Sequence, residues 1–417
     1  TRVSSSSASD VYKSHTQIAK ELNSYIDSLL EQTTDYIPAW NQEGFKGRWN
    51  YIDGVFLNSI VNLYYQTNNV KYKNFFINYI NYYIDADGEF VNLKNSNDTG
   101  FNPNELDSIC ESRILFDAYE MTKDSRYLKA IATTYEALTA MPTATGSPNF
   151  WHKTSYQNQI WLDGMYMYVP FYARYAKENN LPLLFDKIKT QYEYIRNHMF
   201  DEEKKLYYHG NDTRRTIFWA DDTTGNSKNF WLRSTGWFIV SLVDVLEYYP
   251  EGEAKEYLKT LLNEAIDGVM QYQDKESKMF YQLIDRGPMA YCVSQVYLTA
   301  LKNNKYGSED AIVHNYLESS GSSMIAYTLM KAARLDYIDS KNEALGQEIF
   351  EAAYGHSYKN GSLNDICITA GLGPENNAYR DGSISYYLAE PVGSNDAKGV
   401  GPFIMAYLEY ANQKKTL

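Results

Sequence analysis

Residues 161–172 read WLDGMYMYVPFY, whereas residues 20–32 read KELNSYIDSLLEQ. The first stretch presents apolar groups on nearly every side of a helix, the second on one stripe only. A helix apolar all round has to be buried all round, while a one-stripe helix keeps its polar face in water. The same contrast recurs along the chain. Apolar spacing of three and four residues marks helical segments near 10–32, 51–67, 71–85, 107–121, 126–141, 160–178, 183–199, 231–248, 253–273, 288–304, 319–334 and 342–356. Those starting near 10, 71, 126, 183 and 253 are amphipathic. Those starting near 51, 160, 231, 288 and 319 are apolar almost throughout, as in STGWFIVSLVDVL (234–246), AYCVSQVYLTAL (290–301) and SSMIAYTLMKAARL (322–335). Half-exposed helices alternating with buried ones describe two concentric rings. The expected fold is therefore all-α, an (α/α)6 barrel of roughly twelve helices. It is expected to form one domain over 10–417 behind a flexible segment 1–9. An open α-solenoid is the alternative, but the chain carries no repeated consensus motif. Strand-like alternation is confined to Lys205–His209 and Met279–Leu283, read as small hairpins in loops. The stretch 357–401, rich in turn residues, reads as a long functional or closing loop.

The net charge of −13 argues against a nucleic-acid partner, whose phosphates need a basic surface. An anionic ligand would have to be held by local cations against that field. No run approaches the ~18 consecutive apolar residues of a membrane span. The 40 Tyr and 7 Trp offer stacking faces with a polar handle, which suits sugars. Cys110, Cys292 and Cys367 lie far apart without metal-ligand spacing, so neither a disulfide framework nor a zinc site is expected. A cytoplasmic location fits this best, with a secreted or periplasmic one as the alternative.

Asp163 stands near the start of the most apolar helix. It is either a helix cap or a general acid walled in by aromatic groups. Asp107, in NPNELDSICESRILFDAY (102–119), raises the same choice at another apolar helix start. Paired carboxylates at facing helix ends are the usual equipment for acting on glycosides. His152 and His209 lie in aromatic, polar loops and are either packing groups or binding groups. Arg233, between Trp231 and Trp237, can hold a carboxylate while the rings stack on a sugar, or can serve only as packing. Opposite directions of alternate helices would open every inner-helix N-terminus on one end of the barrel, where these residues converge. No phosphate loop, dinucleotide fingerprint or GxSxG elbow is present.

The strings HKTSYQNQIWLDGMYM (152–167), FWADDTTGNSKNFWLRSTGWFIVSLVDVLEYYP (218–250), ESSGSSMIAYTLMKAARLDY (318–337) and EPVGSNDAKGVGPFIMAYLE (390–409) occur in this order. Together they resemble the unsaturated rhamnogalacturonyl hydrolases. These are glycoside hydrolases of family 105 and relatives of the unsaturated glucuronyl hydrolases of family 88. The resemblance runs from WNYIDG (49–54) to about Glu409. It implies an (α/α)6 barrel that removes a 4,5-unsaturated uronic acid from the non-reducing end of small lyase products. The family's acid protonates C4, positive charge develops at C5 and the ring oxygen, and water adds at C5. The hemiketal then opens and expels the remaining sugar.

By this resemblance Asp163 matches the catalytic acid and base, and Asp107 the second acid. His152, Gln159, His209 and Arg233 match polar binding positions. Trp231 and Trp237 would stack on the uronate, and Trp49 is counted with the substrate-binding groups. No metal or cofactor is implied. The expected partner is a small unsaturated oligosaccharide, with no nucleic acid and no membrane, and the protein is expected as a monomer or homodimer. The motif WLRSTGW (231–237) departs from the family's usual WGRGNGW, and Tyr156-Gln157 stands where Tyr-Pro is usual. Both changes surround the sugar pocket and leave the identity of the departing sugar open. A sugar epimerase, an inverting glycosidase or a non-catalytic carbohydrate-binding barrel are the alternatives on the same fold.

Overall fold

Residues 13–33, 49–91, 100–308 and 310–417 are described by a computed structural model of the chain. The segment 1–9 expected to be flexible lies outside the described residues. In chain order the helices are α1 (His15–Gln32), α2 (Tyr51–Thr67), α3 (Val70–Asn81), α4 (Leu106–Ser112), α5 (Leu115–Thr122), α6 (Arg126–Ala140), α7 (Gly164–Glu178), α8 (Pro182–Met199), α9 (Leu232–Leu246), α10 (Glu253–Met270), α11 (Leu298–Leu301), α12 (Ser319–Arg334), α13 (Lys341–Ser357), α14 (Ile384–Ala389) and α15 (Ala397–Lys414). Around the axis α2 packs on α4, α4 on α7, α7 on α9, α9 on α12, α12 on α15, and α15 back on α2. The inner ring is thereby closed. Outside it α3, α6, α8, α10, α13 and α1 each cover an inner neighbour. The chain is an (α/α)6 barrel, as the alternation of buried and half-buried segments predicts. Every residue of α9 is buried, whereas α8 and α10 bury one stripe.

Two segments differ from the sequence reading. AYCVSQVYLTAL (290–301) is not an inner helix. Ala290–Cys292 is a strand paired antiparallel with Ile312–His314, and a 3₁₀ turn at Gln295–Tyr297 leads into the short α11. Val293, Tyr297 and Leu301 turn inward while Val296 is 57% exposed, so the segment is only one-sided. The sixth inner helix is α15, which the turn-rich composition of AKGVGP (397–402) conceals. Its glycines serve close packing. A Cβ at Gly401 would stand 2.8 Å from the Val55 carbonyl oxygen, so glycine lets α15 lie against α2. The expected single helix 107–121 is split into α4 and α5, because Arg113 and Ile114 donate to carbonyls three residues back rather than four. Arg113 there reaches across the axis to Asp244, 2.7 Å away, and Asp244 also takes Lys331 at 2.8 Å and the Tyr327 hydroxyl at 2.7 Å. Burial opposes the charge on Asp244, but Lys331 and Arg113 hold its carboxyl well below the usual range. Of the two expected hairpins, Leu206–Tyr207 does pair with Phe200–Asp201, while 279–283 makes only single bridges to Leu317 and Trp231.

Candidate active site

Two short strands gather the candidate residues. Gln159–Trp161 pairs antiparallel with Gly210–Asp212, Trp161 opposite Gly210. The ladder continues one step, with the Leu162 amide donating to the His209 carbonyl at 2.8 Å. This fixes His209 beside Asp163. On the other edge the His152 amide donates to the Gln159 carbonyl, and the Leu106 amide donates to the His152 carbonyl, both at 3.0 Å. Asp107 is thus tied to His152. Gly164 permits the close approach, since a Cβ there would stand 3.1 Å from His152 Nδ1.

The result is a cavity of about 470 Å³ at one end of the barrel. It is lined by the starts of α2 (Asn50, Tyr51, Ile52), α4 (Asp107), α7 (Asp163), α9 (Trp231, Arg233, Trp237) and α15 (Asp396, Lys398). The positive ends of these helices therefore face one space. Asn50 and Asp396 cap their helices, accepting from the amides of Ile52 and Lys398 at 2.9 Å. Asp163 stands at the same position before α7 but makes no side-chain cap bond. That removes the cap as the explanation for this carboxylate. Its Oδ1 is buried and lies 3.3 Å from His209 Nε2, off the line of a proper hydrogen bond.

Asp107 is held differently. Its carboxylate lies 3.2 Å from His152 Nε2 and 3.0 Å from Lys153 Nζ, and Lys153 also pairs with Glu105 at 3.1 Å. Burial works against its charge, but Lys153 and His152 outweigh it and hold the carboxyl well below the usual carboxylate range. These two neighbours favour the ionised form of Asp107.

Arg233 is buried, lies over the Trp231 ring with 4.9 Å to its centroid, and donates to the Cys367 carbonyl. Burial opposes its charge, and its neighbours Cys367, Tyr51, Glu318 and Asp396 more than restore it. Lys398 pairs with Asp396 at 3.0 Å. Among the described residues neither Arg233 nor Arg380 has a carboxylate within ion-pair distance, so these are the two cations of the cavity free to take one. The aromatic walls are Tyr156, Trp161, Trp231 and Trp237. Trp161 stacks between His152 (4.3 Å, 13°) and Tyr156 (5.1 Å, 25°), and Trp237 stacks on Tyr166 (4.3 Å, 18°).

Of the residues singled out from sequence, Asp163, Asp107, His152, Arg233, Trp231 and Trp237 line the cavity. His209 stands behind Asp163 with no exposed surface. Gln159 is buried too; its amide donates to the Gly373 carbonyl and its oxygen accepts from Trp161 Nε1, so it braces the wall from outside. Trp49 is not in the wall. It is buried against Tyr83 and Phe90 and donates to Ser112, a packing role at the start of α2. Sequence reasoning gave no role to Arg380, Lys398 or Tyr51. Arg380 and Lys398 sit in the turn-rich stretch read as a closing loop, and that composition was their only signal. A larger groove of about 990 Å³ runs between α1 and α13, but its Lys13 and Glu21 pair with each other. It lies away from the inner-helix starts. Among the described residues no group of three or more His, Cys, Asp or Glu is placed to hold a metal ion, and no helix is long and apolar enough to cross a membrane.

A closed (α/α)6 barrel with carboxylates, guanidiniums without a carboxylate partner and aromatic faces around a sugar-sized cavity belongs to the class of barrel glycosidases. The chain belongs to Glycosyl Hydrolase Family 88, whose model matches residues 25–300 and 308–414. It is similar to a structure of a family 105 glycoside hydrolase from C. acetobutylicum, with 31% identity, a TM-score of 0.79, and 94% of this chain and 99% of that one covered. A protein of Agrobacterium fabrum is 31% identical over 252 residues, 58% of this chain and 97% of the relative. An unsaturated 3S-rhamnoglycuronyl hydrolase of Formosa agariphila is 25% identical over 122 residues, 28% of this chain and 31% of the relative.

Proposed function

We propose that this glycoside hydrolase removes a 4,5-unsaturated uronic acid from the non-reducing end of small oligosaccharides by hydrating the ring double bond. The observation that carries the reading is Asp163: a carboxylate at a helix start, without a cap bond, at the wall of a polar cavity, with a histidine behind it. In this role Asp163 gives its proton to C4, the double-bond electrons move to form the new C–H bond, and positive charge builds at C5 and the ring oxygen. Water then adds at C5 and returns a proton to the Asp163 carboxylate. The hemiketal opens and the remaining sugar departs. Asp107, held charged by Lys153 and His152, orients the sugar and favours the developing cation. The substrate carboxylate falls to Arg233 and Arg380, two guanidiniums with forked donors and no carboxylate of their own. Converging helix N-termini add to them against the net charge of −13. Trp231, Trp237, Trp161 and Tyr156 offer stacking faces. The rhamnoglycuronyl hydrolase of F. agariphila supports the unsaturated uronide as substrate class.

One chain supplies all of these groups, which suits a monomer and leaves a homodimer compatible. Three unpaired cysteines, two of them buried, fit a cytoplasmic location. The test is a panel of defined unsaturated disaccharides with their saturated counterparts. Turnover abolishes the ultraviolet absorbance of the conjugated double bond. Unchanged absorbance across pectic, arabinogalactan and glycosaminoglycan lyase products refutes the reading, and cleavage of saturated substrates replaces it with a conventional glycosidase.

A further inference from the structure

His209 has one close polar partner besides Asp163. The hydroxyl of Tyr387, on α14, lies 2.6 Å from His209 Nδ1. Both side chains are fully buried. The imidazole is also boxed by Trp231 (4.8 Å between ring centres) and Trp161 (5.5 Å), so it cannot turn to seek other partners. Burial, and then the nearby Asp163, push the Tyr387 hydroxyl far above its ordinary range, so it keeps its proton. Among the described residues Nδ1 is the one acceptor that this hydroxyl meets. The O–H therefore donates to Nδ1, Nδ1 carries no proton, and the proton of the neutral ring sits on Nε2. Nε2 faces Asp163 Oδ1, the buried oxygen of that carboxyl group.

We propose that Tyr387 is a positioning residue that acts through His209: it holds the Nε2–H tautomer, whose N–H faces Asp163 Oδ1 at 3.3 Å and electrostatically favours the transferable proton on Oδ2, toward the cavity. The inference rests on Asp163 as the proton donor. It gives the buried pair Tyr387–His209 a purpose that packing alone does not require, since a phenylalanine fills the same space.

The experiment is nitrogen NMR of the full chain labelled at histidine, with His209 assigned by the signal lost in His209→Asn. In the unsubstituted protein His209 shows protonated Nε2 and bare Nδ1. In Tyr387→Phe the two tautomers mix. The kcat on an unsaturated disaccharide falls about tenfold, the worth of one buried hydrogen bond, while KM moves less than about twofold. A purely structural Tyr387 lowers thermal stability and moves neither the tautomer nor kcat. A protonated Nδ1 in the unsubstituted protein overturns the proposal, as does a Tyr387→Phe kcat within about twofold of normal. If Tyr387→Phe does not fold, the tautomer of the unsubstituted protein decides alone. Full turnover by Asp163→Asn is the separate result that removes the proton-donor reading on which the proposal rests, whereas a protonated Nδ1 sinks only the role of Tyr387.

Discussion

Asp163→Asn separates a catalytic carboxylate from a structural one more sharply than any other change in this barrel. The substitution keeps size and planarity and removes the acid. The Asp163 side chain accepts no hydrogen bond from the first turn of α7, so no cap is lost. Its near polar neighbour, His209 Nε2 at 3.3 Å, is poorly aligned for a hydrogen bond. The folded state therefore has little to lose, and stability should change by less than about 1 kcal/mol, the worth of an ordinary cap. Turnover should behave in the opposite way. Removing a positioned general acid costs ~10²–10⁴-fold, or about 3–5 kcal/mol of barrel-bound transition-state stabilisation. The assay is the decay of ultraviolet absorbance of an unsaturated disaccharide, run beside a thermal melt. A variant that melts like the parent and keeps more than about a tenth of its kcat shows that the proton comes from elsewhere.

Asp107→Asn should lower both activity and stability, because His152 loses its carboxylate and Lys153 one of its two; chemical denaturation should report a loss of about 1–3 kcal/mol. Arg380→Gln should raise KM at least about tenfold with a smaller change in kcat, the mark of a lost charge-assisted contact to bound substrate. Asp244→Asn strands Arg113 in the core, with Lys331 left to Glu247 alone, and should cost about 3–5 kcal/mol in equilibrium unfolding. The carboxyl of Glu390 is raised by burial from 4.5 to about 7, with Arg380 and Tyr386 opposing the rise. Its folded form binds more protons than the unfolded chain between those values, so stability falls as pH rises through that window and levels off above about 7. Glu390→Gln should match the parent at low pH and exceed it at high pH by up to about 3 kcal/mol, as read from melts across the range.

The ring architecture was legible because burial on all sides leaves its mark in every residue of a helix such as α9, and burial on one side leaves a stripe as in α10. The same logic failed where packing ran against composition. Gly399, Gly401 and Pro402 read as helix breakers, yet the glycines are what α15 needs to lie on its neighbours. AYCVSQVYLTAL is apolar enough for a core helix, but only Val293, Tyr297 and Leu301 are buried. For the site, Asp163, Asp107 and Arg233 were visible as charges set in apolar helix starts. Arg380 and Tyr387 were not, because Arg380 sits in a turn-rich stretch without a helix pattern and no local pattern ties Tyr387 to His209. Trp49 looked like a sugar platform because indoles suit both sugars and cores; only the neighbours of the ring tell the two apart.

The position of α15 also governs when this molecule is able to fold. The last stave of the inner ring is made from residues 397–414, and it seats Gly401 against Val55, far back in the sequence. On the ribosome, α2 and α12 therefore wait with apolar flanks bared until the final stave leaves the exit tunnel. Contacts so distant in sequence form slowly, and the open stage is prone to aggregate. A nascent chain stalled before residue 397 should accordingly be held by chaperones, and emergence of 397–414 should be the event that shuts the barrel and creates the cavity in one step.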